Sequence, residues 1–381
     1  MTQFMMIGLL FCYALFFKHF EAEYGWSRTL LSACISFASV VSGVFAFYGG
    51  KLSDRFGPAP VLAVAGVMGG ASFILLAMIS APWQLFVFFG LLYGLGMSTH
   101  DVATLSTIAR LFQKRRGIMT GVVKVGTASG QIVMPLIAAF LIATYDWKTA
   151  LVMLGSGGMV VLLIAALLMK RPTGATAVTS QQTEAGGMAF AEARRTPTFW
   201  MICIIQFCFF CSLMTIPLHI VVHGMDLGLS AAPAAALLSV SGAASIIGRL
   251  SVGGLIDRFG GKRSLVFCFL PLLVGLGLFL VISVPEMLFV GIAIYGVGHG
   301  GFFTVMSPTI AQYFGLKAHG SIFGFVLFCG MFGGALGPVL TGWIFDAYGS
   351  YTMAFMSLGT LGAIGLVLAL RLPSVGLYTD K

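Results

Sequence analysis

Long runs of apolar residues, separated by short polar stretches, recur from one end of the chain to the other. Each run approaches the roughly 20 residues that an α-helix needs to cross the hydrocarbon core of a bilayer. Lipid offers backbone groups no hydrogen-bonding partner, so spanning runs of this kind predict helices. We predict twelve transmembrane helices, over residues 3–20, 29–50, 58–80, 83–109, 117–144, 148–169, 198–222, 231–256, 264–284, 287–313, 321–345 and 351–371.

Composition and charge agree with a membrane protein. The 381 residues are 59% hydrophobic and only 9% charged, which is more apolar surface than a soluble globule can bury. With the amino terminus inside, most Lys and Arg residues fall on one side of the bilayer, which predicts that both termini are cytoplasmic. We expect a multi-pass protein of the plasma membrane, or of the inner membrane in a Gram-negative bacterium. The net charge of +9 follows from this topology and needs no nucleic acid to explain it.

The first apolar run begins almost at Met1. It lacks the basic leader and the small-residue cleavage site that a signal peptide would carry. We therefore expect a transmembrane helix whose start is clipped or misassigned, and not a cleaved signal.

The sequence also repeats itself. A shift that carries residue 50 onto residue 253 aligns GKLSDRFG at 50–57 with GGLIDRFG at 253–260, and a shift one residue shorter aligns YGLG at 93–96 with YGVG at 295–298. Six predicted helices precede the joint and six follow it. The repeat predicts an all-α membrane fold of two pseudo-symmetric six-helix bundles, an arrangement that suits a transporter with its site near the bilayer midplane.

Three regions follow from this repeat. Residues 1–169 form the predicted amino-terminal bundle and residues 198–381 the carboxy-terminal bundle. Between them, residues 170–197 are rich in Gly, Thr, Ala and Gln, which predicts a flexible cytoplasmic linker.

Both copies of the repeated loop resemble the signature loop of the major facilitator superfamily, between helices two and three and again between helices eight and nine. The positions that carry the resemblance include Gly50, Asp54, Arg55, Gly253, Asp257 and Arg258. The first copy departs from the pattern, since residues 58–60 replace the usual trailing basic residues. The resemblance implies that the acidic and basic members form cytoplasmic ion pairs, which gate alternating access.

Four shorter fragments give a finer likeness. EYGWSR at 23–28, QKRRG at 113–117, HIVVHGMDLGLS at 219–230 and SIIGR at 245–249 together resemble the monocarboxylate porters and the oxalate:formate antiporter family. In those families an Arg of helix eight is thought to hold the carboxylate of the substrate. Arg249 is the matching position, and the likeness implies transport of small organic acids.

Several polar side chains lie deep inside predicted spans. Helical rise places Arg249 roughly 12 Å, Lys124 roughly 10 Å and Asp101 roughly 14 Å from the cytoplasmic ends of their helices. His299 lies near the middle of its helix. A charge at such a depth costs at least about 2.5–3.5 kcal/mol on insertion scales, and it usually faces a cavity or a partner.

Arg249 has no acidic partner on its own helix face, because Ser245 and Gly242 occupy the preceding positions. Its planar fork matches a carboxylate, so we predict that Arg249 is the counter-charge of the substrate. The alternative is a structural Arg that caps carbonyl groups or pairs with Asp101.

In some relatives of the oxalate:formate kind the second cation is a Lys of helix eleven, but the predicted helix eleven here contains no basic residue. The repeat places Lys124 opposite Phe328 of that helix, so we predict that Lys124 is the second cation. The alternative is a structural ion pair between Lys124 and Asp101. Asp101 or His100 is the predicted carrier of a coupling proton. An ionised Asp101 leaves a site suited to a monoanion, whereas a protonated Asp101 suits a dianion such as oxalate. The remaining predicted pocket residues are His299, Tyr93, Tyr295, Phe302 and Phe303.

The sequence predicts a secondary transporter of small monocarboxylates such as lactate or pyruvate, coupled to protons. Carboxylate exchange of the oxalate and formate kind is the alternative, and a receptor or scaffold without turnover is a further one. No metal constellation, phosphate loop or catalytic triad is recognisable, so we expect neither an enzyme nor a bound cofactor or metal. The expected partners are a small carboxylate anion, a proton and the lipid bilayer.

Overall fold

The computed structural model describes residues 1–26, 28–112, 115–169, 187–282 and 284–374. Most of the predicted linker, residues 170–186, lies outside them. Its described end forms a short helix, Phe190–Ala193. The ring of Phe190 packs 5.9 Å from that of Phe199 and 5.8 Å from that of Phe325, so this end of the linker is held against two spans.

Helices account for nearly all of the described chain. The first span comprises Thr2–Cys12, a 3-10 turn Tyr13–Phe16, and Phe17–Tyr24. The second to sixth spans are Arg28–Phe56, Pro58–Leu76, Pro82–Leu111, Arg116–Thr144 and Trp147–Leu168. The seventh to twelfth spans are Pro197–Asp226, 231–259, 261–281, Leu288–Phe314, His319–Tyr348 and Thr352–Arg371.

The count of twelve rests on two details of the described helices. Ten of these helices are long and apolar enough to cross a membrane. One of the ten, Ala231–Val281, is interrupted at Gly260, whose φ of 78° and ψ of 171° are not helical, and it is therefore two spans. The shorter helix Thr2–Cys12 begins the remaining span. The all-α membrane fold predicted from the sequence is confirmed.

Helix ends follow local chemistry. Asp146 caps the sixth span by accepting from the backbone N–H groups of Lys148 at 2.8 Å and Thr149 at 2.9 Å. Thr196 caps the seventh span, and Pro197 occupies its first turn, where its missing N–H is not needed. The signature loop ends in Gly57 in one repeat and in Gly260 in the other, with φ of 87° and 78°. Glycine alone adopts this backbone readily, so both copies can end one span and start the next.

Two compact units emerge from the contacts. The first contains residues 1–107, 126–187 and 316–324, and the second contains residues 108–125, 188–315 and 325–381. The domain boundaries predicted from the repeat stay a prediction, since these units exchange the short segments 108–125 and 316–324.

Each unit has its own aromatic core. In the first, Tyr13 stacks on Phe89 at 3.9 Å between ring centres, and Phe89 stacks on Tyr93 at 4.8 Å. In the second, Phe209 stacks on Phe302 at 3.6 Å. Large apolar side chains cover outward faces, such as those of Leu136, Leu167 and Val339, which are 67%, 68% and 69% exposed. Exposure of this kind along a whole helix suits contact with lipid.

Candidate functional site

Arg249, in the eighth span, is buried with its charge. The residue is 4% exposed, and its Nε and Nη1 atoms have no hydrogen-bond partner among the described residues. A buried guanidinium loses its hydration, and an unpaired donor leaves that loss uncompensated. Arg249 therefore keeps two buried donors without an acceptor among the described residues.

The ring of Phe303, in the tenth span, lies beside both buried cations. Arg249 Cζ lies 5.2 Å from the centre of the ring, and Lys124 Nζ lies 5.5 Å from it. His299, one turn earlier on the same span, places its own ring centre 5.3 Å away. A cation near an aromatic face gains about 0.5–2 kcal/mol. That gain is smaller than the several kcal/mol that burial of an ion costs, so the ring orients the cations without replacing a counter-ion.

Close helix contact brings Lys124 to this ring. The fifth span touches the eighth span at Gly121, where a methyl group would lie 2.5 Å from the Arg249 carbonyl oxygen. The same methyl group would lie 3.6 Å from Thr304 Cγ2 of the tenth span. Lys124 follows Gly121 by one turn and is 3% exposed. Glycine at this crossing therefore allows three spans to meet around two cations.

Like two donors of Arg249, other polar atoms in this region lack partners among the described residues. Ser245 Oγ, His299 Nδ1 and Thr304 Oγ1 are buried without a hydrogen bond to any described residue. Ser245 precedes Arg249 by one turn on the same helix face, and Thr304 follows Phe303 in the chain. Buried polar atoms in proteins almost always have a partner, so several exceptions in one place indicate a ligand site. Two cations, two hydroxyl groups and an imidazole supply the chemistry to bind a small carboxylate.

The acidic candidate lies in the first unit. Asp101 is partly buried, and its Oδ1 accepts a hydrogen bond of 2.9 Å from Nε2 of Gln3 in the first span. His100 is 4% exposed, and its Nδ1 donates to the Met97 carbonyl oxygen at 2.6 Å. Gln3, which the sequence reasoning does not single out, is thus a partner of the acidic candidate.

The hydroxyl groups of the two predicted pocket tyrosines donate hydrogen bonds to backbone carbonyl groups. Tyr93 donates to the Met6 carbonyl oxygen, and Tyr295 donates to the Ser212 carbonyl oxygen at 2.9 Å. Both are completely buried. These bonds tie one span to another inside each unit, so the predicted substrate contact of either tyrosine stays a prediction. Phe303, by contrast, contacts both cations directly.

The first signature loop caps the eleventh span. Asp54 Oδ1 accepts from the Gly320 N–H at 3.1 Å, and its Oδ2 accepts from the N–H and the hydroxyl of Ser321, each at 2.8 Å. A carboxylate at this end of a helix satisfies free N–H groups and favours the helix dipole. A side chain at Gly50 would collide with the Gly320 backbone, which explains the signature glycine. Arg55 is exposed.

The second signature loop caps the fifth span in the same way. Asp257 Oδ1 accepts from the Gly117 N–H at 2.7 Å, and its Oδ2 accepts from the Ile118 N–H at 3.0 Å. A methyl group at Gly253 would lie 2.8 Å from the Gly117 carbonyl oxygen. Arg258 is exposed. Charged helix caps are thus a role of these aspartates that the sequence did not reveal, and the ion pairs implied by resemblance stay a prediction.

The seven cysteines are free thiols. Cys208 and Cys211 are buried free thiols, as the apolar surroundings of their C-x-x-C predict. No group of three or more potential metal ligands gathers within the described residues.

Buried cations, and polar atoms without partners among the described residues, lie inside a bundle of apolar, membrane-spanning helices. These features are typical of a membrane transport protein. The chain belongs to the Major Facilitator Superfamily, whose model matches residues 1–254 and 224–377. It is accordingly a multi-pass membrane transporter and not an enzyme, and the resemblance inferred from the signature loops is confirmed.

Among curated proteins, this chain is similar to monocarboxylate transporters. Monocarboxylate transporter 13 of Rattus norvegicus is 27% identical over 379 residues, which cover 97% of this chain and 86% of that protein. Monocarboxylate transporter 11 of Homo sapiens is 26% identical, over 93% of this chain and 76% of that protein. The solved structure of the proton:xylose symporter XylE superimposes with a TM-score of 0.76 at 14% identity, over 97% of this chain and 94% of that chain. That last likeness bears on the fold alone.

Proposed function

We propose that this protein is a secondary transporter that carries small organic monocarboxylates, of the lactate or pyruvate kind, together with protons by alternating access. The observation that carries the proposal is Arg249, whose buried guanidinium has donors without partners in the described part of the chain. Such a group gains most from an anion that takes its hydrogen bonds, and a carboxylate matches its planar fork. The two relatives named monocarboxylate transporters support the same class of substrate.

Lys124 serves as the second cation in this proposal. Arg249 and Lys124 share one aromatic neighbour, Phe303, so a carboxylate bound by Arg249 lies within the field of Lys124. In this proposal the unpartnered polar atoms nearby, Ser245 Oγ and His299 Nδ1, form hydrogen bonds with the bound acid.

Asp101 carries the coupling proton, with His100 as its neighbour in sequence. A carboxyl group inside a membrane bundle changes charge when it binds a proton, which makes it a common proton carrier in transporters. The distribution of Lys and Arg supports cytoplasmic termini and residence in the plasma membrane, or in the inner membrane of a Gram-negative bacterium.

Uptake of labelled L-lactate into proteoliposomes tests the proposal. An inward proton gradient should drive accumulation, and Arg249→Ala should abolish it. Asp101→Asn should lose the response to the gradient while it retains lactate exchange. Absence of lactate flux from a monodisperse wild-type protein would contradict the proposed substrate class. Intact coupling in the Asp101 variant would move the proton to His100 or His299.

Exchange of small dicarboxylates such as oxalate, against formate, is the second candidate. The presence of two cations at one ring favours it, because each carboxylate of a dianion would then have its own cation. Oxalate exchange that ignores the proton gradient, without net lactate uptake, would favour this candidate over the first.

A further inference from the structure

A glutamine of the seventh span is buried without a hydrogen bond. Gln206 is 1% exposed, and its Oε1 is among the buried atoms without a partner in the described ranges. A buried polar group left unsatisfied costs about 1–3 kcal/mol. A side-chain amide kept at this position therefore calls for a partner outside the protein.

The internal repeat supplies a comparison. The shift that matches residue 50 with 253 also matches Gln3 with Gln206, and both are 1% exposed. Each packs at a glycine of another span: Gln3 against Gly126 and Gln206 against Gly330. Oε1 of Gln3 is likewise buried without a partner, but Nε2 of Gln3 donates to Asp101 at 2.9 Å, a contact that Gln206 does not make within the described chain. The second amide is thus held in place by packing alone.

Two aromatic rings, Phe210 and Phe303, link Gln206 to the carboxylate site. Phe210 follows it by one helical turn on the same face. The ring centre of Phe210 lies 6.4 Å from that of Phe303, the ring that contacts Arg249. Contact with Gly330 fixes the amide, since a methyl group there would lie 2.8 Å from Gln206 Cγ and 2.9 Å from Nε2. The amide is consequently fixed about one turn from the aromatic contact that leads to Arg249.

We propose that Gln206 is a substrate-binding residue that selects acids with an oxygen on the carbon beside the carboxylate, namely 2-hydroxy and 2-oxo monocarboxylates. The inference rests on the proposed function, in which Arg249 holds the carboxylate. An amide both accepts and donates, so it accepts from a hydroxyl group and donates to a keto oxygen, while the two cations only donate. An unsubstituted acid leaves the amide unpaired, and sites built to pair such a group discriminate strongly against that analogue.

L-Lactate and propionate are suitable probes, because they differ only in the hydroxyl group on the second carbon. Half-saturation concentrations for both acids would be measured in proteoliposomes for the wild type, Gln206→Met and Gln206→Asn. Wild type should prefer lactate by about tenfold, the factor that one hydrogen bond of ordinary strength supplies. Gln206→Met should bring the ratio near one by weakening lactate alone, and Gln206→Asn should keep part of the preference.

Thr215→Val is the matched control on the same span. Thr215 is fully buried like Gln206, but its hydroxyl already donates to the Cys211 carbonyl oxygen. The control should keep the wild-type ratio. A wild-type ratio in Gln206→Met, or an equal loss for both acids, would overturn the assignment. The proposed function would stand in either case, because the wild type carries lactate. A wild type that carries neither acid would instead overturn the proposed function, and the assignment with it.

Discussion

The contact between the fifth and eighth spans at Gly121 sets the position of Arg249, and Gly121→Ala tests this directly. The added methyl carbon would lie 2.5 Å from the Arg249 carbonyl oxygen. Non-bonded heavy atoms prefer separations of about 3.5–4.0 Å, so the two backbones would have to part by about 1 Å. The obstacle is a helix carbonyl and cannot rotate aside as a side chain would.

Gly121→Ala should lower both the stability of the protein and its affinity for the substrate. Overpacking of this kind costs about 1–3 kcal/mol of stability. A displacement of about 1 Å at a binding group can lower a rate by about 100-fold, because the site no longer matches its ligand. We therefore expect a lower unfolding midpoint in detergent and a rise of at least about tenfold in the half-saturation concentration for lactate, a change worth about 1.4 kcal/mol.

Gly254→Ala, in the eighth span, is the matched control. A methyl group at Gly254 meets nothing within 4 Å, and alanine favours a helix over glycine by up to about 1 kcal/mol. The control should keep its unfolding midpoint or raise it, with unchanged transport. The reasoning is refuted if Gly121→Ala behaves like the wild type, or if both alanine variants lose the same activity.

Three further predictions concern charged groups. Asp257→Ala removes a helix cap and should lower the free energy of unfolding by about 1–2 kcal/mol, measured by thermal unfolding. Asp226→Ala is the control, because Asp226 lies at the carboxyl end of a helix, where an acid is unfavourable, and its removal should not lower stability. Lys124→Gln should raise the half-saturation concentration for lactate at least about tenfold in a flux assay, and unchanged affinity would exclude Lys124 from the site. Hydrogen bonds from Thr149 hold the pKa of Asp146 below its usual 3.8. That stabilisation is present above the unfolded-state pKa and is lost as pH falls through the lower folded-state pKa. The unfolding midpoint should therefore decrease less steeply below about pH 4 in Asp146→Asn than in the wild type.

The sequence predicts the spans well because apolar length is a property summed over many residues. The fifth span is predicted at 117–144 and found at Arg116–Thr144. The 3-10 turn Tyr13–Phe16 in the first span could not be predicted, since no Pro, Gly or polar residue marks it. Local backbone choices of this kind depend on neighbouring spans, which the sequence alone does not specify.

Side chains that contact the backbone are the least predictable part of the site. The sequence identifies Asp54 and Asp257 as members of a signature, but their partners are N–H groups at Gly320 and Gly117. A backbone N–H carries no residue-specific signal. The same limit applies to Tyr93, whose hydroxyl donates to the Met6 carbonyl oxygen.

The sequence points to the two buried cations but not to the amide of Gln206, because charged residues are rare in apolar runs. A charge in an apolar run is conspicuous, so Arg249 and Lys124 stand out, whereas a single glutamine near a helix start does not. The repeat makes Gln206 visible, because its counterpart Gln3 has a carboxylate partner and Gln206 has none within the described chain. Equivalent backbone positions thus serve an internal contact in one repeat and leave a free amide in the other. The difference between these matched positions is what supports the proposal for Gln206, which neither charge nor hydropathy marks.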